Sequence, residues 1–515
     1  MRKQSLKITK RTFILSVASG ILLFLSFPKY GFGIIAWVAL VPLLFALNKV
    51  TGQRNGLIVG FITGIVSYTG ILYWIIYVVV NYGYLPYYAG IFVMLLLAAY
   101  LSIYIALFGT GVLYFSDKGI PIVVAAPVLW TCLEYGKSYL FTGFPWENLA
   151  YSQYLNTELI QIVDITGPYG LTFIIVLVNV IIYDILSDKF KGRRAMVEAA
   201  FCCALLLIIF GYGYFRVNQI NESLISAESM DVNLVQGNID QNIKWNPHFQ
   251  TETINVYNDL SLQVKSSRPG LTVWPETAAP FFFQDLNELH DKIVNIAQIS
   301  GRWLLFGSPS YLRGCNGSEN CVSYLNSAFL LSSNGKILER YDKVHLVPYG
   351  EYVPLRSIFP FINKLVVGIG DFRSGRGYNP LTLNNKKLGV LICYEGIFPE
   401  ASRTYKNMGA DLLVNITNDA WFGRTSAPYQ HLSMTVFRAV ENRLYVVRSA
   451  NTGISCIIDP AGRIIAKTEL FTRSSLQDNV KFINYKTFYT AYGDIFVVIS
   501  LVALTCCFLI ILRRK

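Results

Sequence analysis

Two domains of different class are predicted from the sequence: a multi-span α-helical membrane domain of about eight transmembrane helices, and an extracytoplasmic α/β sandwich domain. Three observations carry this expectation. The 515 residues exceed one ordinary domain. A chain that is 53% hydrophobic and only 15% charged is not a typical soluble protein. The apolar residues are also unevenly placed: bilayer-length segments fill the first 215 residues, one more closes the chain, and the region between has ordinary globular composition.

The spans read as approximately 12 to 27, 33 to 48, 57 to 80, 89 to 115, 120 to 139, 168 to 187, 195 to 215 and 493 to 512. This divides the chain into a helical bundle over 1–215, a catalytic-type α/β domain over 216–492, and a C-terminal helix with a basic tail over 493–515. Orientation follows from Lys and Arg in the short connections. Arg2, Lys3, Lys7, Lys10 and Arg11 precede the first span; Lys49, Arg54, Lys118, Lys189, Lys191, Arg193 and Arg194 follow alternate spans; Arg513, Arg514 and Lys515 end the chain. The opposite connections offer only Lys29. Both termini are therefore expected in the cytoplasm, and 216–492 outside the cytoplasmic membrane. The net charge of +12 follows from these loops and calls for no nucleic-acid partner. No small-x-small cleavage site follows Phe27-Pro28, so the basic and apolar start reads as a retained span.

The nine cysteines divide by environment. Cys132, Cys202, Cys203, Cys506 and Cys507 lie in spans as small packing residues, and Cys456 sits in an apolar strand. Cys315 and Cys321 bracket a Gly/Ser/Asn loop that suits a local disulfide in an oxidising compartment. Metal binding there is not expected, because no histidine stands at ligand spacing. Cys393 remains as a free thiol.

From Asp231 the text alternates strand-like and helix-like segments. DVNLVQGNI, LTVWPET, WLLFGSPS, SYLNSAFLLSS, KILERYDKVHLV, LGVLICYE, ADLLVNITND, LYVVRSAN, TGISCIIDP and GRIIAKTEL read as strands. Helices are expected near 249–265, 285–300, 398–408 and 429–442. Such alternation argues for strands buried between helices. Chemically useful residues end several strands: Glu276 ends LTVWPE, Lys343 lies in RYDKVHLVPYGEYVP, and Cys393 ends LGVLIC before Gly396 and Pro399 stop the run. Singly, a cysteine beside an apolar run is a small buried hydrophobe and Glu276 or Lys343 a surface charge. Together they are a coherent set. A glutamate takes the thiol proton, an ammonium favours thiolate and a developing oxyanion, and the thiolate attacks an acyl carbon.

WPET, RYDKVHLVPYGEYVP, CYEGIFPE, NITNDAWFG and FRAVENRLYVVRSANTG, in that order, resemble the nitrilase (carbon–nitrogen hydrolase) superfamily over about residues 230 to 470. With the surrounding spans, TGFPWENLAYSQ and VQGNIDQNIKW, the chain is similar over nearly its full length to the apolipoprotein N-acyltransferase family, a membrane-bound branch of that superfamily. The resemblance implies an αββα sandwich with the triad Glu276, Lys343 and Cys393. It further implies supporting roles for Glu351, Tyr394 and Glu395, with the Tyr394 N–H beside Lys343 at the oxyanion. Substrate-binding positions fall on Trp245, Trp421, Phe422 and Trp146. The implied chemistry is acyl transfer from a phospholipid through a Cys393 thioester to the N-terminal amine of a diacylglyceryl apolipoprotein, in a bacterial inner-membrane enzyme. No cofactor or metal is implied, and a monomer is the default.

Some readings stay open. Pro280 to Phe283 and Ile358 to Ile369 either shield a thioester from water or are simple core. Glu134 and Lys137 either bind a headgroup or form a structural pair, and Trp146 with the tyrosines near 151 to 154 can instead form an interfacial belt. One rival function is a membrane-tethered nitrilase-type amidase or hydrolase; another is a non-catalytic transporter or scaffold.

Overall fold

A computed structural model describes residues 8–187, 193–264, 269–315, 318–353 and 371–513. The segment Ile358 to Ile369, read as either shield or core, and several of the basic residues used for orientation lie outside these. The chain forms two units: one of residues 1–76, 86–217 and 492–515, the other of 77–85 and 218–491.

The first unit is helical. Its elements are α1 (Lys10–Leu25), α2 (Val41–Leu47), α3 (Gln53–Leu72), the start of α4 (Trp74–Asn81), α5 (Tyr87–Asp117), α6 (Ile122–Tyr139), α7 (Thr157–Ile160), α8 (Val163–Leu186) and most of α9 (Arg193–Ile225). Small residues let α3 and α5 touch backbone to backbone: a Cβ on Gly60 would lie 2.3 Å from the Ile105 carbonyl oxygen.

Among the described residues, five helices are long and apolar enough to cross a membrane: α3, α5, α8, Met196–Ile225 and a final helix, Ile495–Arg513. The other expected spans fall short of that length or hydropathy for local reasons. The 33–48 segment breaks into a 3₁₀ turn, Gly33–Trp37, and the seven-residue α2. The first helix has only 16 residues. The expected span 57–80 divides at Tyr73 into α3 and α4. α6 carries Glu134 and Lys137, and both are buried and structural. Glu134 accepts from the Leu149 N–H and the Thr172 hydroxyl, each at 2.7 Å, while Lys137 donates to the Trp146 carbonyl at 3.3 Å. These bonds staple the 146–150 turn to the helices.

The second unit contains two six-stranded sheets. The first is built from β1 (Ser229–Gln236), β2 (Gly270–Val273), β3 (Trp303–Cys315), β4 (Ser318–Leu331) and β5 (Ile337–Asp342). The second holds β6 (Leu381–Leu383), β7 (Lys386–Ile392), β8 (Leu412–Thr417), β9 (Tyr445–Ala450), β10 (Cys456–Ile458) and β11 (Ile464–Lys467), and β12 (Ser474–Lys481) returns to the first. The orders are β12-β1-β2-β3-β4-β5 and β11-β10-β9-β8-β7-β6, with β1-β2-β3 and β7-β8-β9 parallel. The sheets face each other: the Ser449 hydroxyl on β9 lies 3.1 Å from both the Val235 and Val273 carbonyls.

Helices cover the outer faces. α10 (Pro247–Leu262) and α11 (Glu288–Ser300) bury Ile254, Tyr257, Ile293 and Ile296 against Trp274, Phe306 and Phe329. α12 (Pro399–Asn407) and α13 (Ala427–Asn442) cover the second sheet, and the Tyr405 hydroxyl donates to the Val390 carbonyl at 2.7 Å. A last short helix, α14 (Phe488–Tyr492), precedes α15 (Ile495–Arg513). Phe283, one of the residues read as a possible shield, is fully buried in the first core. Cys321 is disulfide-bonded, and Cys456 is a buried free thiol. The strand expected to run through Lys343 stops at Asp342, so Lys343 starts a loop.

One close approach sets the position of the turn after β2. Ala279 donates to the Gly307 carbonyl, and Gly307 donates to Pro275, each at 3.1 Å, so the 275–279 turn lies along β3. A Cβ on Gly307 would come within 2.4 Å of the Thr277 nitrogen and 2.7 Å of the Glu276 Cα. Gly307→Ala is therefore expected to displace Glu276 and to lower stability by about 1–3 kcal/mol. Thermal unfolding of the detergent-solubilised protein checks this; an unchanged midpoint contradicts it.

Candidate active site

Three chain segments leaving strands bring together a carboxylate, an amine and a thiol. Glu276 sits in the turn after β2, Lys343 directly follows β5, and Cys393 begins the 3₁₀ turn Cys393–Ile397 after β7. All are buried, Lys343 to 1% exposure. The ends of parallel strands are where an α/β sheet assembles polar chemistry, because side chains there project clear of the ladder.

A buried ammonium requires partners. Lys343 Nζ lies 2.9 Å from Glu351 Oε2 and 3.7 Å from Glu276 Oε1. The Asn326 amide holds both carboxylates, donating to Glu276 Oε1 at 2.8 Å and to Glu351 Oε1 at 2.9 Å. Backbone N–H groups complete the set: Asn418 donates to Glu276 Oε2 at 2.9 Å and Val347 to Glu351 Oε2 at 2.8 Å. Burial pushes the Lys343 amine down, but Glu351 and Glu276 outweigh it and hold the ammonium well above its ordinary range. Burial and the Glu276 charge push the Cys393 thiol up, against weaker pulls downward from Lys343 and from a Thr417 hydrogen bond. The thiol at rest is therefore protonated, with a carboxylate near it to take the proton.

The residues flanking Glu276, Lys343 and Cys393 divide by what they touch. Glu395 is a brace: Tyr341 Oη, Val344 N and His345 N donate to its Oε1 at 2.8, 2.7 and 3.0 Å, and Ile392 N to its Oε2 at 2.7 Å. It thereby ties the loop after Lys343 to the strand before Cys393. Burial raises its carboxyl to about 7, opposed by those donors and by Lys343. Tyr394 is buried, its ring edge-on to Phe398 at 5.1 Å.

Trp421 and Phe422 lie half-buried on the 3₁₀ turn Asp419–Phe422 after β8. Tyr82, from the 77–85 segment, donates its hydroxyl to the Ala420 carbonyl at 3.0 Å and meets the Trp421 ring edge-on at 4.9 Å. Gly423, with φ of +58°, leaves room for Tyr77, whose Cζ would sit 2.5 Å from an added Cβ. Trp245 is half-buried beside Lys244. Trp146 lies elsewhere in the chain's division into units. It belongs to the helical unit, where it is 2% exposed and packs on Trp74 and Phe144.

Several residues here are not singled out by the sequence reading. Asn326 looks like one polar position in a strand. Lys244, fully buried, donates to the Glu276 carbonyl at 3.2 Å, and burial pushes its amine down to about 8. A signal did exist for it: a lysine inside QNIKW, beside candidate Trp245. Asp419, His431 and Arg448 form a buried cluster behind Cys393. Asp419 and Arg448 lie within NITNDAWFG and FRAVENRLYVVRSANTG, but nothing in those runs sets them apart from their neighbours.

A thiol, an ammonium and a carboxylate held at the strand ends of facing sheets are the groups that enzymes of nucleophilic acyl chemistry require. The carbon-nitrogen hydrolase family model matches residues 232–482, and the apolipoprotein N-acyltransferase N-terminal domain model matches residues 19–181. A Geobacter metallireducens protein named apolipoprotein N-acyltransferase is 46% identical over 95% of this chain and 93% of its own length. A Pasteurella multocida protein of the same name is 31% identical over 94% and 92%. Among solved structures, a nitrilase-superfamily amidase from Nesterenkonia AN1 is similar at 20% identity, covering 49% of this chain and 90% of its own, with a TM-score of 0.37. The chain belongs to the apolipoprotein N-acyltransferase family.

The raised thiol has a measurable signature. Alkylation of free cysteine is half-maximal at about pH 8.5 and levels off by about pH 9.5 to 10. Labelling of Cys393 by iodoacetamide, followed by peptide mass mapping, is expected to keep rising with pH beyond about 10. A plateau by about pH 10 contradicts the raised thiol.

Proposed function

We propose that this protein transfers an acyl chain from the sn-1 position of a phospholipid to the α-amine of an S-diacylglyceryl-cysteine at the N-terminus of an apolipoprotein. This is the last step of bacterial lipoprotein maturation. Glu276 removes the Cys393 thiol proton as the sulfur attacks the ester carbonyl. Lys343 Nζ and the Tyr394 backbone N–H stabilise the tetrahedral oxyanion. Collapse breaks the ester C–O bond, Glu276 returns the proton to the departing alkoxide, and lysophospholipid leaves with the acyl chain on sulfur. In the second half Glu276 takes a proton from the incoming amine, which attacks the thioester. The C–S bond breaks, an amide forms, and the thiol regains its proton.

The observation that carries this reading is the clasp of Lys343 between Glu276 at 3.7 Å and Glu351 at 2.9 Å beside a buried thiol. Glu351 orients Lys343, Glu395 braces the nucleophile turn, and Trp245, Trp421 and Phe422 line the approach of substrate. The carbon-nitrogen hydrolase match and the relatives' shared name supply the substrate class. In this reading a monomer is the default, and the protein sits in the bacterial inner membrane with both termini cytoplasmic and the α/β unit periplasmic. The support for this is the apolar helices and the bias of Lys and Arg among the short connections. Anchoring the site where both substrates are anchored raises their effective concentration.

Intact-mass measurement of the protein in phospholipid micelles tests the mechanism. Wild type is expected to gain one acyl mass, Cys393→Ser none, and a diacylated lipopeptide to remove the adduct while gaining a third chain. An adduct that decays equally fast without lipopeptide makes the protein a hydrolase. No adduct on folded wild type excludes the acyl-enzyme.

A further inference from the structure

Cys393 has φ of +53°, a left-handed backbone conformation that a side-chain-bearing residue adopts only when its surroundings hold it there. The holding groups converge on one atom. His431 Nε2, from α13, lies 3.1 Å from the Cys393 carbonyl oxygen, and Asn415 Nδ2, from β8, lies 3.4 Å from the same oxygen. Asn415 Nδ2 also donates to the Leu391 carbonyl at 2.9 Å.

A second layer fixes these donors. Arg448 Nη2 donates to Asp419 Oδ2 at 2.8 Å and reaches His431 Nδ1 at 3.1 Å, while its Nη1 donates to the Asn415 side-chain oxygen. Asp419 Oδ1 lies 3.2 Å from His431 Nδ1 and accepts the Thr417 hydroxyl at 3.0 Å. His431, Asn415, Asp419 and Arg448 are all at most 1% exposed, so water does not compete for these bonds.

The tautomer follows from the partners. A carbonyl oxygen only accepts, so the ring proton is on Nε2. Burial and the neighbouring Arg448 charge oppose a second proton more strongly than Asp419 favours one. In either charge state of the ring, Nε2 carries the proton donated to the Cys393 carbonyl.

The peptide group that receives this hydrogen bond is Cys393–Tyr394. A trans peptide is planar, with C=O and N–H pointing in opposite directions. Pinning the Cys393 oxygen on the α13 side therefore aims the Tyr394 N–H away from it. We infer that His431 is a positioning residue for catalysis: it aims the Tyr394 N–H at the substrate oxyanion by fixing the Cys393 carbonyl, without touching substrate itself. The inference rests on the acyl-enzyme reading above and on the Tyr394 N–H as an oxyanion donor.

Two reactions of the same thiol separate this role from a structural one. Acylation by phospholipid develops charge on oxygen and needs the donor, whereas alkylation by iodoacetamide develops charge on iodide and does not. His431→Phe keeps an aromatic ring and removes the donor, and His431→Gln keeps an N–H of similar reach. The expected result for His431→Phe is acylation of Cys393 slowed about 10–100-fold at saturating phospholipid. Its KM and alkylation rate stay within about twofold of wild type, and His431→Gln restores most of the acylation rate.

Acylation of His431→Phe at the wild-type rate overturns the inference. So does equal slowing of acylation and alkylation, which means the thiol itself has moved, or a His431→Gln rate no better than that of His431→Phe. If His431→Phe does not fold, His431→Asn, too short to reach the carbonyl, takes its place against His431→Gln. Absence of any adduct on wild type instead removes the acyl-enzyme reading on which the inference stands.

Discussion

A lysine ammonium with 1% exposure is stable only where carboxylates replace the water it has lost, and much of the catalytic unit is arranged around that requirement at Lys343. Two glutamates meet the charge, and two glutamates so close would repel without further donors. Asn326 supplies one amide to both, and the backbone of Asn418 and Val347 supplies the rest. Each donor belongs to a different part of the chain. The clasp can therefore exist only when β2, β4, β8 and the loop after β5 are all in register.

The same logic extends outward. Glu395 collects donors from both sides of the site and so couples the Lys343 loop to the Cys393 turn. Asn418 reaches Gln241 at 2.7 Å, and Asn451 bridges Asn418 to the backbone of Ile239. Through these bonds the 239–245 segment, which carries Lys244 and Trp245, is tied to the turn that holds Glu276. Buried polar networks of this kind are stabilising only when nearly every member is satisfied, and they reward a single arrangement. Preorganisation of the reacting groups follows without any single strong interaction.

The strand ends were legible in the sequence because a short apolar run that stops at a charged or nucleophilic residue marks the point where a buried strand leaves the core. The helices over 247–262, 288–300, 399–407 and 427–442 fall close to where periodicity puts them. What the sequence conceals is partnership across long separations. Asn326 and Glu276 are 50 residues apart, and neither position announces the other. His431 lies in a helix buried all round, where a polar residue on a hydrophobic face reads as ordinary core. The membrane spans were less legible for a different reason: hydropathy does not register where a helix breaks, as at Tyr73, or how a charge such as Glu134 is satisfied inside a bundle. Nor does it reveal that residues 77–85, flanked by the helical unit in sequence, pack with the catalytic one.

The chemistry proposed for this site is a double displacement, in which one nucleophile serves two substrates in turn and the acyl chain rests on the protein between them. Initial rates over a grid of phospholipid and diacylated lipopeptide concentrations test this most directly. Parallel lines in double-reciprocal plots are the predicted result, because the first product leaves before the second substrate reacts. Intersecting lines require both substrates on the enzyme at once and contradict the account.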